Sequence, residues 1–125
     1  MSVKELENLT KITNFYSSSN KIQSLDGIEK LTQLTSLNLI SNQLKYLDNL
    51  EYLNQLLTLD LSSNKLRQCF NFSKLSNVKS INLKLNQIKL ILSFTFSNLN
   101  ELFAIYLDEN LIDGDNDEVE NDENK

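Results

Sequence analysis

Leucine and isoleucine recur along this chain with a period of 22 residues. In residues 31–52, leucine occupies positions 1, 4, 7, 9, 14, 17 and 20, and an asparagine stands at position 12. Residues 53–74 keep the same frame without a gap. Periods of this length are typical of solenoids, in which each unit buries its apolar face by stacking on the next unit. The pattern therefore predicts a repeat fold with one continuous core.

Five repeats follow from this frame, and they differ in quality. They begin at residues 9, 31, 53, 75 and 99, so the predicted repeat domain covers residues 9–112. The first repeat has Ser17 where the others have leucine. The fourth repeat is two residues longer and contains Phe94 and Phe96, so we expect its longer turn to bury an aromatic ring that fills the wider back layer of the solenoid. The fifth is half a repeat.

The two ends of the chain depart from the repeat. Residues 1–8 carry Val3 and Leu6 at the spacing of the end of a repeat, which predicts an N-terminal cap or partial repeat. Residues 113–125 hold seven acids and one lysine, and this composition predicts an acidic disordered tail. The alternating aspartates of this tail resemble a calcium loop, but Asn124 stands where the bidentate glutamate is needed. We therefore expect no metal.

Positions 6–10 of each repeat alternate between polar and apolar residues, as in Ser36, Leu37 and Asn38. Period-two alternation indicates a strand with one buried face. Equivalent strands one repeat apart run in the same direction, so they are expected to pair into a parallel sheet. The rest of each repeat is too short for a long helix and is predicted to contain extended chain and short 3₁₀ segments.

Position 12 is asparagine in every repeat. The five residues are Asn20, Asn42, Asn64, Asn86 and Asn110. A buried amide offers donors and acceptors to backbone groups that a turning chain leaves unpaired. We therefore predict a ladder of buried amides, with exposed loop asparagines as the alternative.

The frame LxxLxxLxLxxNxLxxLxxL, which begins at residue 31, resembles the leucine-rich repeat. The 22-residue length is similar to that of the intracellular subclass typified by a regulatory subunit of protein phosphatase 1. The resemblance implies an α/β fold, a right-handed curved coil with a concave parallel β-sheet of about five strands and short 3₁₀ or extended segments on the convex side. It also implies a solenoid that holds protein partners. Intracellular members often close with a proline-containing cap, which this proline-free chain lacks, so we expect an open C-terminal layer.

Candidate binding residues are the outward strand positions, because the inward positions are committed to the core. They are Tyr16, Asn38, Asp60, Asn82, Tyr106, Ser36, Thr58, Ile40, Lys84 and Asp108. Tyr16 and Tyr106 are the predicted anchors, since aromatic residues with a polar tip are favoured in interface cores. The alternative is that these two tyrosines only shield the strand edges. Asp60 is the central carboxylate and is predicted to meet a basic group of the partner.

Charge restricts the possible partners. The chain has 17 acids and 12 bases, and removing the seven acids and one lysine of residues 113–125 leaves ten acids and eleven bases. A body this close to neutral is expected to lack the basic stripe of a nucleic-acid platform. The chain has no histidine and two glycines, and no catalytic or phosphate-binding motif is present. We therefore expect no enzyme activity, no small-molecule substrate and no cofactor.

The single cysteine, Cys69, excludes an intramolecular disulfide and favours a reducing compartment. It lies at position 17, so we expect a small buried hydrophobe rather than a reactive thiol. The N-terminus lacks the apolar core of a secretory signal, and no segment approaches membrane-spanning length. The sequence thus predicts an intracellular protein that is cytoplasmic, nuclear or ciliary and does not contact a membrane.

The leading hypothesis is a non-catalytic protein-protein interaction module that binds a partner through the concave face, as a candidate subunit of a larger intracellular complex. One alternative is a structural subunit that docks through its open C-terminal edge. Another is a regulatory subunit of a phosphatase, axonemal or ribonucleoprotein assembly, which rests on the family resemblance.

Overall fold

A computed structural model describes residues 3–6 and 8–112, so the predicted tail over residues 113–125 lies outside the described residues. The described strands are β1 (Asn14–Tyr16), β2 (Ser36–Asn38), β3 (Thr58–Asp60), β4 (Ser80–Asn82) and β5 (Ala104–Tyr106). The described 3₁₀ helices are η1 (Lys4–Leu6), η2 (Ile28–Lys30), η3 (Leu50–Tyr52) and η4 (Phe72–Lys74). Each full coil thus has one strand at positions 6–8, and the return segment of the first three repeats contains a 3₁₀ helix at positions 20–22.

The strands form one parallel sheet in the order β1-β2-β3-β4-β5. The register advances by one repeat per strand, because Leu37 pairs with Phe15 on one side and Leu59 on the other. The insertion in the fourth repeat does not disturb this register, since Ile81 pairs with Ile105. Side chains of one position therefore form a column across the sheet. The predicted leucine-rich-repeat solenoid with a five-stranded parallel sheet is confirmed.

A single hydrophobic cluster runs through the solenoid and is most complete in its middle coils. The apolar frame positions of the second repeat are at most 5% exposed, and Val3 from the N-terminal segment joins the same cluster at 1%. Towards the other end, Leu102 and Leu107 are partly buried, and Leu111 and Ile112 are exposed. Each coil thus depends on a neighbour on both sides to bury its apolar side chains.

The side chains of the position-12 asparagines join adjacent coils through hydrogen bonds to the backbone. The Asn64 amide Nδ2 donates to the carbonyl oxygens of Leu39 and Leu61, both at 3.0 Å, and its Oδ1 accepts from the Leu44 N–H at 3.0 Å. Asn42, Asn86 and Asn110 make the equivalent bonds to their own coil and to the preceding coil. These amides satisfy turn backbone groups that the sheet leaves unpaired. The predicted ladder is therefore present in four coils.

Asn20 is the exception to this ladder. Its side chain is exposed, and its Nδ2 donates to the Ser17 hydroxyl and the Ser18 carbonyl within its own turn. The expectation of a buried amide is wrong at this position. The physical reason is that the acceptors of the other four amides include a carbonyl of the preceding coil, and residues 3–6 and 8 onward place no such carbonyl beside Asn20.

Position 11, directly before each asparagine, has a positive φ in every repeat. The residues are Ser19, Ser41, Ser63, Leu85 and Glu109, with φ from 56° to 59°. The left-handed region is unfavourable for residues with a Cβ, and more so for bulky ones. This conformation turns the chain sharply out of the strand, so Leu85 occupies a strained position.

Back turns have a second left-handed position, at Gly27 and Asn49. Gly27 has φ +94°, and a Cβ there would lie 2.8 Å from the Lys4 Cα. The close approach explains why glycine is needed here, since it allows η1 to lie directly against the first back turn.

Candidate functional site

The outward face of the sheet encloses a shallow cavity of about 310 Å³. Its lining includes residues from all five strands, so this face of the sheet is concave. Of the ten candidate residues, the cavity brings together seven: Tyr16, Ser36, Asn38, Thr58, Asp60, Asn82 and Tyr106. Ile40, Lys84 and Asp108 do not line it, because they lie two residues beyond the strands, where the chain turns away.

Three of the central side chains cap their own strands. The Asn38 Oδ1 accepts from the Ile40 N–H at 3.1 Å, and the Asn82 Oδ1 accepts from the Lys84 N–H at 3.0 Å. Asp60 Oδ1 accepts from both the N–H and the hydroxyl of Ser62, at 3.0 and 2.8 Å. These local bonds hold the turn that follows each strand. These three position-8 side chains are therefore half-buried and also hold the turns, a structural role that their outward position in the sequence did not indicate.

Asp60 also contacts its neighbour in the next coil. Asn82 Nδ2 donates to Asp60 Oδ2 at 3.3 Å, and Thr58 donates its hydroxyl proton to the Ser36 hydroxyl at 2.9 Å. The middle of the cavity is thus a connected polar floor. A basic group of a ligand would share the Asp60 carboxylate with these internal donors.

A tyrosine lies at each end of this polar floor. Tyr16 on β1 is 62% exposed and Tyr106 on β5 is 43% exposed. Lys84 lies with its Nζ 5.2 Å from the centre of the Tyr106 ring and 3.4 Å from Asp108 Oδ2. A cation at this distance from a tyrosine ring is attracted to the face of the ring, and the described contacts show this arrangement at Tyr106.

A basic flank lies beside the sheet, where the chain leaves each position-12 asparagine. We define it as Lys21, Lys45, Lys65, Arg67 and Lys89. These residues occupy positions 13 and 15, while position 14 between them is a buried leucine or isoleucine. Period-two alternation sends all five cations outward. Adjacent coils are joined here, because the Lys65 N–H donates to the Leu44 carbonyl at 2.8 Å and the Lys89 N–H to the Arg67 carbonyl at 3.4 Å.

The basic flank corrects one expectation from the sequence. A near-neutral body was expected to carry no basic stripe, but the coils collect five exposed cations on one side. Positions 13–16 of the first four repeats contain no acid, so this face has one sign of charge. The net charge could not reveal this clustering, whereas counting charges by repeat position would have done so.

Cys69 is half-buried rather than fully buried, which departs from the expectation for its core position. It lines a cavity of about 670 Å³ at the edge of the basic flank, together with Arg67, Lys89 and Leu111. Burial raises the pKa of the Cys69 thiol from 9.0 to about 11. A thiol with this pKa is protonated at neutral pH and is a weak nucleophile.

Among residues 3–6 and 8–112, no group of three His, Cys, Asp or Glu side chains is placed to hold a metal ion. The helices in this part of the chain are all too short or too polar to cross a membrane. Cys69 is a free cysteine in this part of the chain, and the sequence contains no histidine that could serve as its base.

Comparison with solved structures defines the class of protein to which this architecture corresponds. Internalin C2 of Listeria monocytogenes matches with a TM-score of 0.80 and 27% identity, over 88% of this chain and 48% of that chain. A leucine-rich-repeat protein of Leptospira interrogans matches with a TM-score of 0.79 and 26% identity, over 86% of this chain and 28% of that chain. The chain therefore has the fold of leucine-rich-repeat proteins.

A second Listeria monocytogenes internalin, InlF, matches with a TM-score of 0.70 and 25% identity, over 87% of this chain and 38% of that chain. The chain thus spans less than half the length of these solved structures. No protein-family model matches the sequence, and no curated protein matches it significantly. The subclass typified by the phosphatase regulatory subunit stays a prediction.

Proposed function

We propose that this chain is a non-catalytic protein-protein interaction module and that its concave sheet face binds the partner. The observation that carries the proposal is the convergence of side chains from all five strands on one cavity. Curved solenoids offer extended concave surfaces of this kind to protein partners. Equivalent strands lie about 4.8 Å apart, so five rows span roughly 20 Å, which suits an extended peptide or one helix.

The groups that remain free on this face indicate the chemistry of the partner. Asn38, Asp60 and Asn82 already use one side-chain oxygen each in their own turns. The tyrosine rings and hydroxyls at the two ends of the cavity are therefore the main contributors to affinity. An extended segment with apolar groups near Tyr16 and Tyr106 fits this arrangement, with a polar or basic side chain above Asp60.

The test compares two pairs of exposed tyrosines. Tyr16→Ala with Tyr106→Ala removes both ends of the concave cavity, whereas Tyr46→Ala with Tyr52→Ala removes two tyrosines, 72% and 55% exposed, from outside it. We expect the first pair to abolish partner capture from an extract of the source cells, measured by quantitative mass spectrometry, and the second to leave it unchanged. Undiminished capture by the Tyr16/Tyr106 variant would overturn the concave assignment.

Substitution of Asn38, Asp60 or Asn82 is a poorer test, since it also removes the cap of a turn. The tyrosine pairs avoid this problem because neither Tyr16 nor Tyr106 makes such a cap among the described contacts. Circular dichroism of each variant checks that the repeat fold is retained.

A second candidate role is docking through the C-terminal layer, which we define as Leu102, Ile105, Leu107, Leu111 and Ile112. In the described part of the chain these side chains are only partly buried or are exposed. Sedimentation velocity over a range of concentrations tests self-association through this layer. A monodisperse monomer at high concentration contradicts that form of docking, and loss of a dimer in Leu111→Glu supports it.

An intracellular location and membership of a phosphatase, axonemal or ribonucleoprotein assembly remain proposals. They rest on the single cysteine and on the repeat length respectively. Their test is the identity of the partner that the native chain captures.

A further inference from the structure

The basic flank is a charged surface separate from the proposed concave site. All five of its cations are exposed. Between residues that the structure describes, the one ion pair is that of Lys84 with Asp108. The cations of the flank therefore have no carboxylate within ion-pair distance among the described residues. Neighbouring coils are about 5 Å apart, so these like charges repel one another unless an anion lies between them.

Grooves between the cations give an anionic segment room to bind. Cavities of about 250 and 300 Å³ both include Lys45 and Tyr46 in their lining, and Arg67 contributes to the second of them. Arg67 continues into the larger cavity of about 670 Å³, which it shares with Lys89 and Leu111. The three cavities follow the basic flank from coil to coil.

The chain itself carries a segment of matching charge. Residues 113–125 contain seven acids and one lysine, and they start two residues after Leu111, which lines the largest of these cavities. Thirteen residues of extended chain reach at most about 45 Å. Four coils at about 4.8 Å each extend roughly 20 Å, so the whole basic flank is within reach of this segment.

We propose that residues 113–125 bind the basic flank of their own chain. The acids pair with Lys45, Arg67 and Lys89 first, because these three cations share position 15 in consecutive coils and line the three grooves. Tethering gives the acidic segment an effective concentration in the millimolar range, so weak individual pairs suffice to keep it bound. The segment thereby covers a surface that an external polyanion would otherwise occupy.

Amide chemical shifts of the full chain test this proposal. The seven acids of residues 113–125 are replaced by their amides, Asp→Asn and Glu→Gln, and the ¹H–¹⁵N spectrum is compared with that of the native chain. We expect shift differences concentrated in residues 43–46, 65–68 and 87–90. They should be large at about 0.01 M ionic strength, where the Debye length is about 30 Å, and small at about 1 M, where it is about 3 Å.

Two triple variants provide the matched comparison. Lys45→Gln with Arg67→Gln and Lys89→Gln removes three charges from the flank and should abolish the effect of neutralising the acidic segment. Lys30→Gln with Lys74→Gln and Lys79→Gln removes three exposed charges elsewhere and should preserve it. Equal effects in both triple variants would show non-specific attraction and overturn the proposal.

Other occupants of the flank give different results. Shift differences that depend on protein concentration would show that residues 113–125 bind a second copy of the chain. Shift differences outside the basic flank would show that they bind another surface. Either result contradicts the proposal. A polyglutamate peptide should bind the variant with neutral residues 113–125 roughly tenfold more tightly than the native chain, because the tethered competitor is removed. Equal affinity of the two chains for this probe also contradicts the proposal.

Discussion

The Phe96 ring stacks on the Phe72 ring, with centroids 5.6 Å apart and planes within 5° of parallel. Phe70 meets the same Phe72 ring edge-on, at 5.4 Å and 71°. Phe72 stands at position 20, where the two preceding repeats have isoleucine and leucine, and it is fully buried. The two-residue insertion therefore supports an aromatic layer on the back of the solenoid, and this agrees with the expectation for Phe96.

Phe72→Ala should destabilise the chain by about 3–5 kcal/mol, because it leaves a cavity in this aromatic layer. Phe94→Ala is the matched control from the same back segment, and its 49% exposed ring should contribute less than about 0.5 kcal/mol. Urea unfolding followed by circular dichroism measures both values. A similar loss for the two variants would contradict the structural importance of the Phe72–Phe96 stack.

Asn64→Ala should cost about 2–4 kcal/mol, because it leaves the Leu44 N–H and two carbonyl oxygens without partners in the interior. Asn20→Ala should cost less than about 0.5 kcal/mol, since this amide is exposed and bonds only within its own turn. Chemical denaturation of both variants gives the comparison. Equal destabilisation by the two substitutions would contradict the conclusion that the bonds between coils make Asn64 important for stability.

Leu85→Asn should stabilise the chain by about 0.5–1 kcal/mol, because asparagine tolerates the left-handed conformation that a leucine adopts here with strain. Leu85 has φ 56° and is 53% exposed, so little apolar burial is lost. Leu9→Asn is the control, since Leu9 is 50% exposed without a positive φ and should show no gain. Thermal unfolding compares the variants. An unchanged or lower melting temperature for Leu85→Asn would contradict the strain.

Cys69 should react slowly with iodoacetamide in the folded chain. Its pKa is raised from 9.0 to about 11 by burial, so near pH 8 the thiolate fraction is roughly a hundredfold lower than in the unfolded chain. The rate is measured by mass spectrometry, with the guanidinium-denatured chain as the control. Similar rates in the two states would contradict burial of the thiol.

The same pKa shift gives a pH dependence of stability. A raised pKa means that the folded chain holds the Cys69 proton at pH values where the unfolded chain has lost it. The unfolded state therefore binds fewer protons between about pH 9 and pH 11, and the free energy of unfolding falls as the pH rises through this range. Cys69→Ala should flatten this part of the pH profile.

The strands and the asparagine ladder could be predicted from the sequence because each depends on one residue type at one repeat position. Leu37, Leu59 and Ile81 mark the buried centre of their strands, and Asn42 and Asn64 mark the turns. Asn20 was predicted incorrectly because its residue type is right but the described residues contain no full preceding coil that supplies its acceptors. Burial in a solenoid depends on both the repeat position and the number of adjacent coils.

Other features were missed because no single residue type carries them. The left-handed position is occupied by residues as different as Ser41, Leu85 and Glu109, and the turn caps by both asparagine and aspartate. The basic flank combines two positions, since lysine alternates with glutamine at position 13 and glutamine is followed by lysine, arginine and lysine at position 15. Of the candidate site residues, the strand residues were placed on one cavity, whereas Lys84 and Asp108 lie in the turns because the strands end two residues earlier.

The asparagine ladder also bears on how such a chain lengthens during evolution. Each Asn64-type amide bonds only to its own coil and the coil before it, so a tandem duplication of residues 53–74 would reproduce every donor and acceptor it needs. A duplication or deletion that shifts the strand and turn positions against the neighbouring coil would separate the amide from its carbonyls, whereas the two extra back residues of the fourth repeat leave the bonds of Asn110 intact. Gene rearrangements that preserve whole units are thus tolerated, and the number of coils can change while the surface of the remaining coils is inherited intact.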